Sequence, residues 1–275
     1  MLTNFQYYLS SFRSDPIGFL GYLATYIVVL LLSLVLHECG HAYAAYRCGD
    51  PTAKMLGRLT LNPLKHLDPI GTVMMVLFRF GYAKPVPVNP RNFRNYRRDD
   101  IIVSLAGITV NLLLFLLSLA VAVSINRYIW TDYVLNANSM EQLINPYTSS
   151  VGNSIAFSSS IESDVISCFV VNDSSLIFSN AWLCYLQRFL LMMSCSNLGL
   201  AIFNLLPIPP LDGYHVLNDT ILKGRLSLNQ QTFWIAQAIL MMLLFSGAFS
   251  ELLYTVNKFV YGGVLQFFLM ITGAA

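Results

Sequence analysis

The chain has 275 residues, 56% of them hydrophobic and only 11% charged, with a net charge of +2 and a mean hydropathy of +0.59. A soluble domain carries about 25% charged residues, so 16 basic and 14 acidic side chains cannot clothe a water-soluble monomer of this size. Long apolar blocks exclude a disordered chain, and a charge of +2 without a basic stripe excludes a nucleic-acid binder. The composition predicts an all-α integral membrane protein.

An apolar helix crosses a bilayer in about 20 residues. Ile17–Leu36 is uncharged and runs on through Ala42–Tyr46, which predicts a first helix from near 17 to 46. Ile70–Phe78 is nine residues long, bounded by Pro69 and Gly81, and too short to cross. It suits a re-entrant element, and residues 57–93 as a whole suit a short re-entrant or β-like segment. Within it Gly81–Pro90 alternates small apolar residues with proline, as either an edge strand for an extended substrate or a proline-rich loop would. Ile101–Ile125 is a second span. The Ser- and Asn-rich stretch 131–181 is a polar insert, with Val165–Val171 and Leu176–Phe178 as candidate short strands. Phe189–Ile208 is a third span, closed by prolines, and Phe233–Ser250 a fourth. Phe259–Ala275, interrupted by Gly262 and Gly263, is a fifth span or an interfacial helix. The expectation is one membrane-embedded domain over 1–275 with about five transmembrane helices.

The five cysteines show no CxxC spacing and give no zinc-finger or redox signal. Cys39 and Cys195 read as small buried side chains, and Cys168 and Cys184 as either a bridge or a free pair. Met1–Leu20 lacks a basic start and a small-residue cleavage site, so it does not read as a signal peptide.

Charge placement orients the chain. Ten of the 16 Lys and Arg residues fall between Arg47 and Asp100, whereas 131–181 has none and carries Asp132, Glu141, Glu162, Asp164 and Asp173. The positive-inside rule puts 47–100 and 214–230 in the cytoplasm and 131–181 outside.

The informative motif is His37-Glu38-Cys39-Gly40-His41, an HExxH at the end of the first apolar run. Residues i and i+4 share a helix face, so His37 and His41 can aim at one ion while Glu38 lies beside them to act on water there. With 4 His and 14 acids in the chain, chance supplies about 0.003 such matches. An ionisable residue at a membrane helix centre costs about 2.5–3.5 kcal/mol on insertion scales and usually marks function. The blander alternative is two histidines hydrogen-bonded inside the bundle beside a protonated Glu38. It lacks obvious partners for them.

Zinc needs a third ligand from another span. Asp212, in NLLPIPPLDG at 204–213, is the candidate, because broken backbone at membrane depth occurs only where protein or a water-filled cavity covers it. The depths agree roughly: the HExxH centre lies about 12 Å of helix before Arg47, and Asp212 lies 11 residues before Lys223. Asp68, His66 and His215 read as interfacial residues with a weaker claim on the site. Asp219 reads as solvated or a helix cap, and Glu251 falls on the far side of the bilayer.

Together HECGH, the GITVN of Gly107–Asn111 and NLLPIPPLDG resemble the site-2 proteases, the intramembrane zinc metalloproteases. The stretches GRLTLNPLKHLDPIGT (57–72) and AKPVPVNPRNF (83–93) are similar to the compact bacterial branch, which leaves no room for an appended PDZ or CBS domain. The resemblance implies one Zn2+ per chain on His37, His41 and Asp212, with Glu38 as catalytic acid/base. It also implies that Gly107 and Asn111 shape the site, and that Asn204 handles substrate. Close relatives often have Pro where Ile108 stands, and the 131–181 insert is outside the pattern. The expected activity is hydrolysis of peptide bonds in transmembrane or juxtamembrane segments of membrane proteins, in the bacterial cytoplasmic membrane. Alternatives are a metal-binding membrane transporter, for which no inverted repeat is evident, and an inactive scaffold relative, against which the intact motif argues. A zinc-type prenyl-protein protease would take a downstream helical Glu rather than Asp212.

Overall fold

The computed structural model describes residues 12–13, 16–68, 71, 84–125, 182–223, 229–246, 255–256, 259–260, 262–264, 266–268 and 270–271. Among them every regular element is helical and none is a strand. Helix α1 runs Pro16–Cys48, within two residues of its predicted ends. It opens on a proline, whose missing N–H costs nothing at a first helical position, and stops at Gly49, whose φ of +110° suits glycine. Helix α2 is the single turn Thr52–Met55. Helix α3 spans Tyr96–Ile125 and starts five residues before the apolar run. The extra turn is charged, and reciprocal capping secures it: Arg98 N–H donates to Asn95 Oδ1 (3.4 Å) and Asn95 N–H to Asp99 Oδ2 (2.8 Å).

Helix α4, Trp182–Asn204, ends four residues short of the predicted boundary at Ile208. Pro207, Pro209 and Pro210 cannot donate to a helix, and 205–211 instead forms turns in which Leu206 N–H reaches Phe203 O (3.2 Å) and Leu211 N–H reaches Ile208 O (2.9 Å). Helix α5 is Asp212–Thr220 and α6 is Gln230–Ser246. Two described helices, Phe19–Cys48 and Tyr96–Ser124, are long and apolar enough to cross a membrane; the apolar part of α4, Phe189–Asn204, is shorter. Five spans are therefore not seen among the described residues. The predicted re-entrant run Ile70–Phe78, the insert 131–181 with its strands and Cys168, and Glu251 lie outside the described residues apart from Gly71, and Phe259–Ala275 is described only in short helical pieces.

The β-like reading of the proline-rich segment needs correction over its described part. Lys84 N–H donates to His66 O (2.8 Å), Val86 N–H to Glu38 Oε2 (2.9 Å) and Asn89 N–H to Asp50 Oδ2 (2.7 Å). Pro85, Pro87 and Pro90 have nothing to donate. The amides that would make a ladder are spent on α1 and the loop after it.

The chain divides into two compact units. The first comprises Met1–Val29, Leu116–Cys195 and Tyr254–Ala275; Tyr22, Val29, Leu119, Ala122, Val123 and Met193 are buried in it, and Tyr22 stacks on Tyr26. The second comprises Leu30–Phe115 and Ser196–Leu253 and contains the whole HExxH motif with Asp212. Small residues bring α1 and α3 close there, as membrane helices require. A Cβ on Gly40 would stand 2.9 Å from Val110 Cγ2 and 3.2 Å from Ala106 O. Around this contact Ala44, Ala45, Cys48, Phe93 and Val103 form one apolar cluster, and Ala42, Ala53 and Val86 another.

Just past α1, fully buried Asp50 gathers four donors: Thr52 N–H (3.1 Å), the Thr52 hydroxyl, the Asn92 amide (2.7 Å) and Asn89 N–H (2.7 Å). Burial pushes its carboxyl pKa up, but the hydrogen bonds outweigh burial and hold it below the ordinary value.

Candidate metal centre

The helical spacing of HExxH puts His37 and His41 on the α1 face that packs on α3. Both are nearly inaccessible, at 5% and 9% exposure. Their Nε2 atoms lie 3.0 Å apart. Asp212 Oδ2 completes a triangle, 3.4 Å from His37 Nε2 and 3.3 Å from His41 Nε2. Asp212 is the first residue of α5, delivered there by the proline turns after α4. Gly213 makes that turn possible, since a Cβ on it would overlap Leu205 O and stand 2.6 Å from Leu206 O.

What converges is acceptor on acceptor. His41 Nδ1 lies 2.8 Å from the Val103 carbonyl, which can only accept, so Nδ1 carries the proton and Nε2 keeps a bare lone pair. His37 Nδ1 lies 3.1 Å from the Asn111 side-chain amide. Half a turn exchanges that amide's oxygen and nitrogen, so Asn111 can accept Nδ1–H and free the second Nε2 as well. Asp212 Oδ2 is buried without a hydrogen-bond donor. A tetrahedral ion with bonds of about 2.0–2.1 Å separates its donors by about 3.3 Å, and the three edges here are 3.0, 3.3 and 3.4 Å. These residues fit a metal ion, and among the described residues they are the group able to hold one.

Gly107 shows why the neighbouring helix must be bare at this level. A Cβ there would overlap His41 Nε2 and stand 2.5 Å from His37 Cε1. Glu38 Oε2 accepts the Val86 N–H at 2.9 Å. Asn204 ends α4, half-buried, and makes no hydrogen bond to the triangle among the described residues.

The weaker candidates separate. His66, 1% exposed, hydrogen-bonds the Thr60 carbonyl through Nε2 (2.9 Å), and Cys39 Sγ donates to the same oxygen (2.9 Å). That places His66 beside the residue after Glu38 rather than on the triangle. Asp68 Oδ1 accepts the Gly71 N–H. His215 Nδ1 lies 3.1 Å from Asp100 Oδ2, which ties α5 to α3 one turn beyond Asp212. Asp219 is not the solvated or capping residue expected of it. It is buried and hydrogen-bonded to Asp100. Burial, then that bond and the Asp100 charge, push its carboxyl up to about 6. Two further contacts have no signature in sequence: the Val86 N–H on Glu38 and the Val103 carbonyl on His41. Both are backbone groups, which every residue type supplies.

An all-helical membrane chain with a two-histidine, one-carboxylate group at the foot of an apolar helix is the pattern of a membrane-embedded metalloenzyme. The family model of peptidase family M50 matches residues 25–246, and the chain belongs to that family, the site-2 proteases. Among curated proteins it is 35% identical over 216 residues to "Putative zinc metalloprotease YwhC" of Bacillus subtilis, covering 78% of this chain and 76% of that one. It is 38% identical over 118 residues to "Putative zinc metalloprotease Rip2" of Mycolicibacterium smegmatis, covering 40% of this chain and 46% of that one. The Rip2 of Mycobacterium tuberculosis is 38% identical over 112 residues, 38% of this chain and 42% of that protein. No solved structure matches the chain.

Proposed function

We propose that this chain is a zinc-dependent intramembrane endopeptidase that hydrolyses peptide bonds in transmembrane or juxtamembrane segments of other membrane proteins. The observation that carries the reading is the donor triangle in which Asp212 meets His37 and His41, the two histidines lying with Glu38 on a helix apolar enough to cross a membrane. Two imidazole nitrogens and one carboxylate oxygen are a ligand set that zinc takes in catalytic sites, where a fourth position stays open. His37, His41 and Asp212 would hold one ion per chain. When bound there, zinc would supply Lewis acidity toward a carbonyl and toward water.

The chain's own residues do the rest. The Val103 carbonyl holds His41, and the Asn111 amide, turned so that its oxygen faces Nδ1, would hold His37, in the tautomer that leaves Nε2 free. Glu38 is anchored through Oε2, which leaves Oε1 to take a proton from the attacking water and pass it to the leaving amine. A substrate helix satisfies its peptide groups internally, so the scissile stretch must unwind before Glu38 can serve it; Asn204 is assigned to handling that stretch. The charge pattern supports an orientation with 47–100 and 214–230 cytoplasmic and 131–181 outside, in what we propose is a bacterial cytoplasmic membrane.

The test is direct. Protein purified in detergent should carry about one zinc per chain and cleave a model membrane substrate. Glu38→Gln should abolish cleavage with zinc still bound, and Asp212→Ala should lose zinc. Cleavage retained by Glu38→Gln rejects the assigned acid/base, and unchanged zinc in Asp212→Ala rejects that ligand.

A further inference from the structure

Among the residues whose side chains are described Arg58 is the only buried lysine or arginine, and no carboxylate pairs with it there. A buried charge without a counter-ion is costly unless hydrogen bonds replace it. Its fork does this with three backbone carbonyls: Nη1 donates to Lys65 O, and Nη2 to Lys84 O (2.7 Å) and Pro85 O (3.0 Å). The last of these matters most. Pro85 C=O and Val86 N–H are the two ends of one peptide group, and the Val86 N–H is the donor that holds Glu38 Oε2.

A peptide group is rigid and planar, so gripping its oxygen fixes the direction of its N–H. A hydrogen bond accepted at the oxygen also polarises the N–H and strengthens the bond it donates. The chain of contacts is therefore Arg58 guanidinium, Pro85–Val86 peptide, Glu38 carboxylate. Neighbouring contacts brace the same segment: Lys84 N–H donates to His66 O, and the Val86 side chain packs with Ala42 and Ala53.

We propose that Arg58 is the positioning residue for Glu38, holding the Pro85–Val86 peptide so that its N–H aims one carboxylate oxygen and leaves the other for proton transfer. The proposal rests on the endopeptidase reading for its catalytic meaning, but the mechanical link stands without it. Lysine at 58 keeps the charge but cannot reproduce a planar fork on three carbonyls. Arg58→Lys should lower kcat about 100-fold, the loss expected when a reacting group is misplaced by about 1 Å. KM should change little and bound zinc should be unchanged, because the Arg58 guanidinium bonds the Lys65, Lys84 and Pro85 carbonyls and none of His37, His41 and Asp212.

Val86→Pro removes the N–H itself and should give the same kcat loss, with the double variant no worse than either single one. Hydrogen exchange of the 84–89 amides, read without substrate, should accelerate in Arg58→Lys. A wild-type kcat in Arg58→Lys, losses that multiply in the double variant, or unchanged amide exchange would each overturn the proposal. If the wild-type protein cleaves nothing, the protease reading falls, and the exchange measurement still decides the Arg58 link.

Discussion

Replacing Gly107 with alanine adds one methyl group at the point where α3 passes the two imidazoles. Its carbon would stand 2.5 Å from His37 Cε1 and 2.7 Å from His41 Cε1, where ordinary carbon contacts are about 3.5 Å or more. The rings must retreat by about 1 Å, while metal–ligand bonds tolerate only about 0.2 Å. At least one donor is then lost. Zinc sites bind with about 10–16 kcal/mol in total, so one of four bonds is worth about 3 kcal/mol, or about 100-fold in affinity. Overall stability should move far less. Alanine favours a helix over glycine by about 1 kcal/mol, against an overpacking cost of about 1–3 kcal/mol. The assay is competition for zinc with a chromogenic chelator, alongside thermal unfolding. Gly40→Ala is the control: it strains the same helix pair against Val110 and Ala106 rather than the imidazoles, so it should keep its metal. A Gly107→Ala protein that binds zinc as tightly as wild type refutes the argument.

Asp50→Ala should destabilise the fold by about 2 kcal/mol, because it removes the buried carboxylate that four part-buried donors share. The Asp50 carboxyl is held below its ordinary 3.8, so its contribution is present above that pH and is lost as pH falls through the folded value. The gap in melting temperature between wild type and Asp50→Ala should narrow below about pH 4. Asp219 has the opposite sign. Its carboxyl titrates at about 6 instead of 3.8, so the folded chain holds a proton that the unfolded chain has released, and stability falls as pH rises between those values. Asp219→Asn keeps a donor for Asp100 without the charge. It should flatten the melting profile between pH 4 and 6 and match or exceed wild type at pH 7.5; a steeper profile in the variant would contradict the assignment.

The metal ligands could be read from sequence because each depends on a side-chain type at a spacing a helix makes meaningful. His37 and His41 are one turn apart, and Asp212 follows prolines that must break a helix. Helix ends were legible to within a few residues where hydropathy and breakers coincide, as at Cys48. They slipped where capping outweighs hydropathy, as at Tyr96, or where prolines act early, as at Asn204. Asp219 was misread because its burial depends on how α5 meets α3, a packing fact that local pattern does not contain. The segment at 84–90 looked strand-like in its alternation, yet its amides are claimed by His66, Glu38 and Asp50, partners up to 48 residues away. No periodicity announces such long-range bonds.

The contact between Val86 and Glu38 divides two demands that usually compete at one position. The main chain serves the acid while the isopropyl group fills the space beside Ala42 and Ala53. Because the amide is common to nineteen of the twenty residue types, position 86 can be retuned for size to adjust how tightly the loop seats against α1. Engineering of loop mobility can begin there, with isoleucine, alanine or threonine, while the anchor on the carboxylate stays in place.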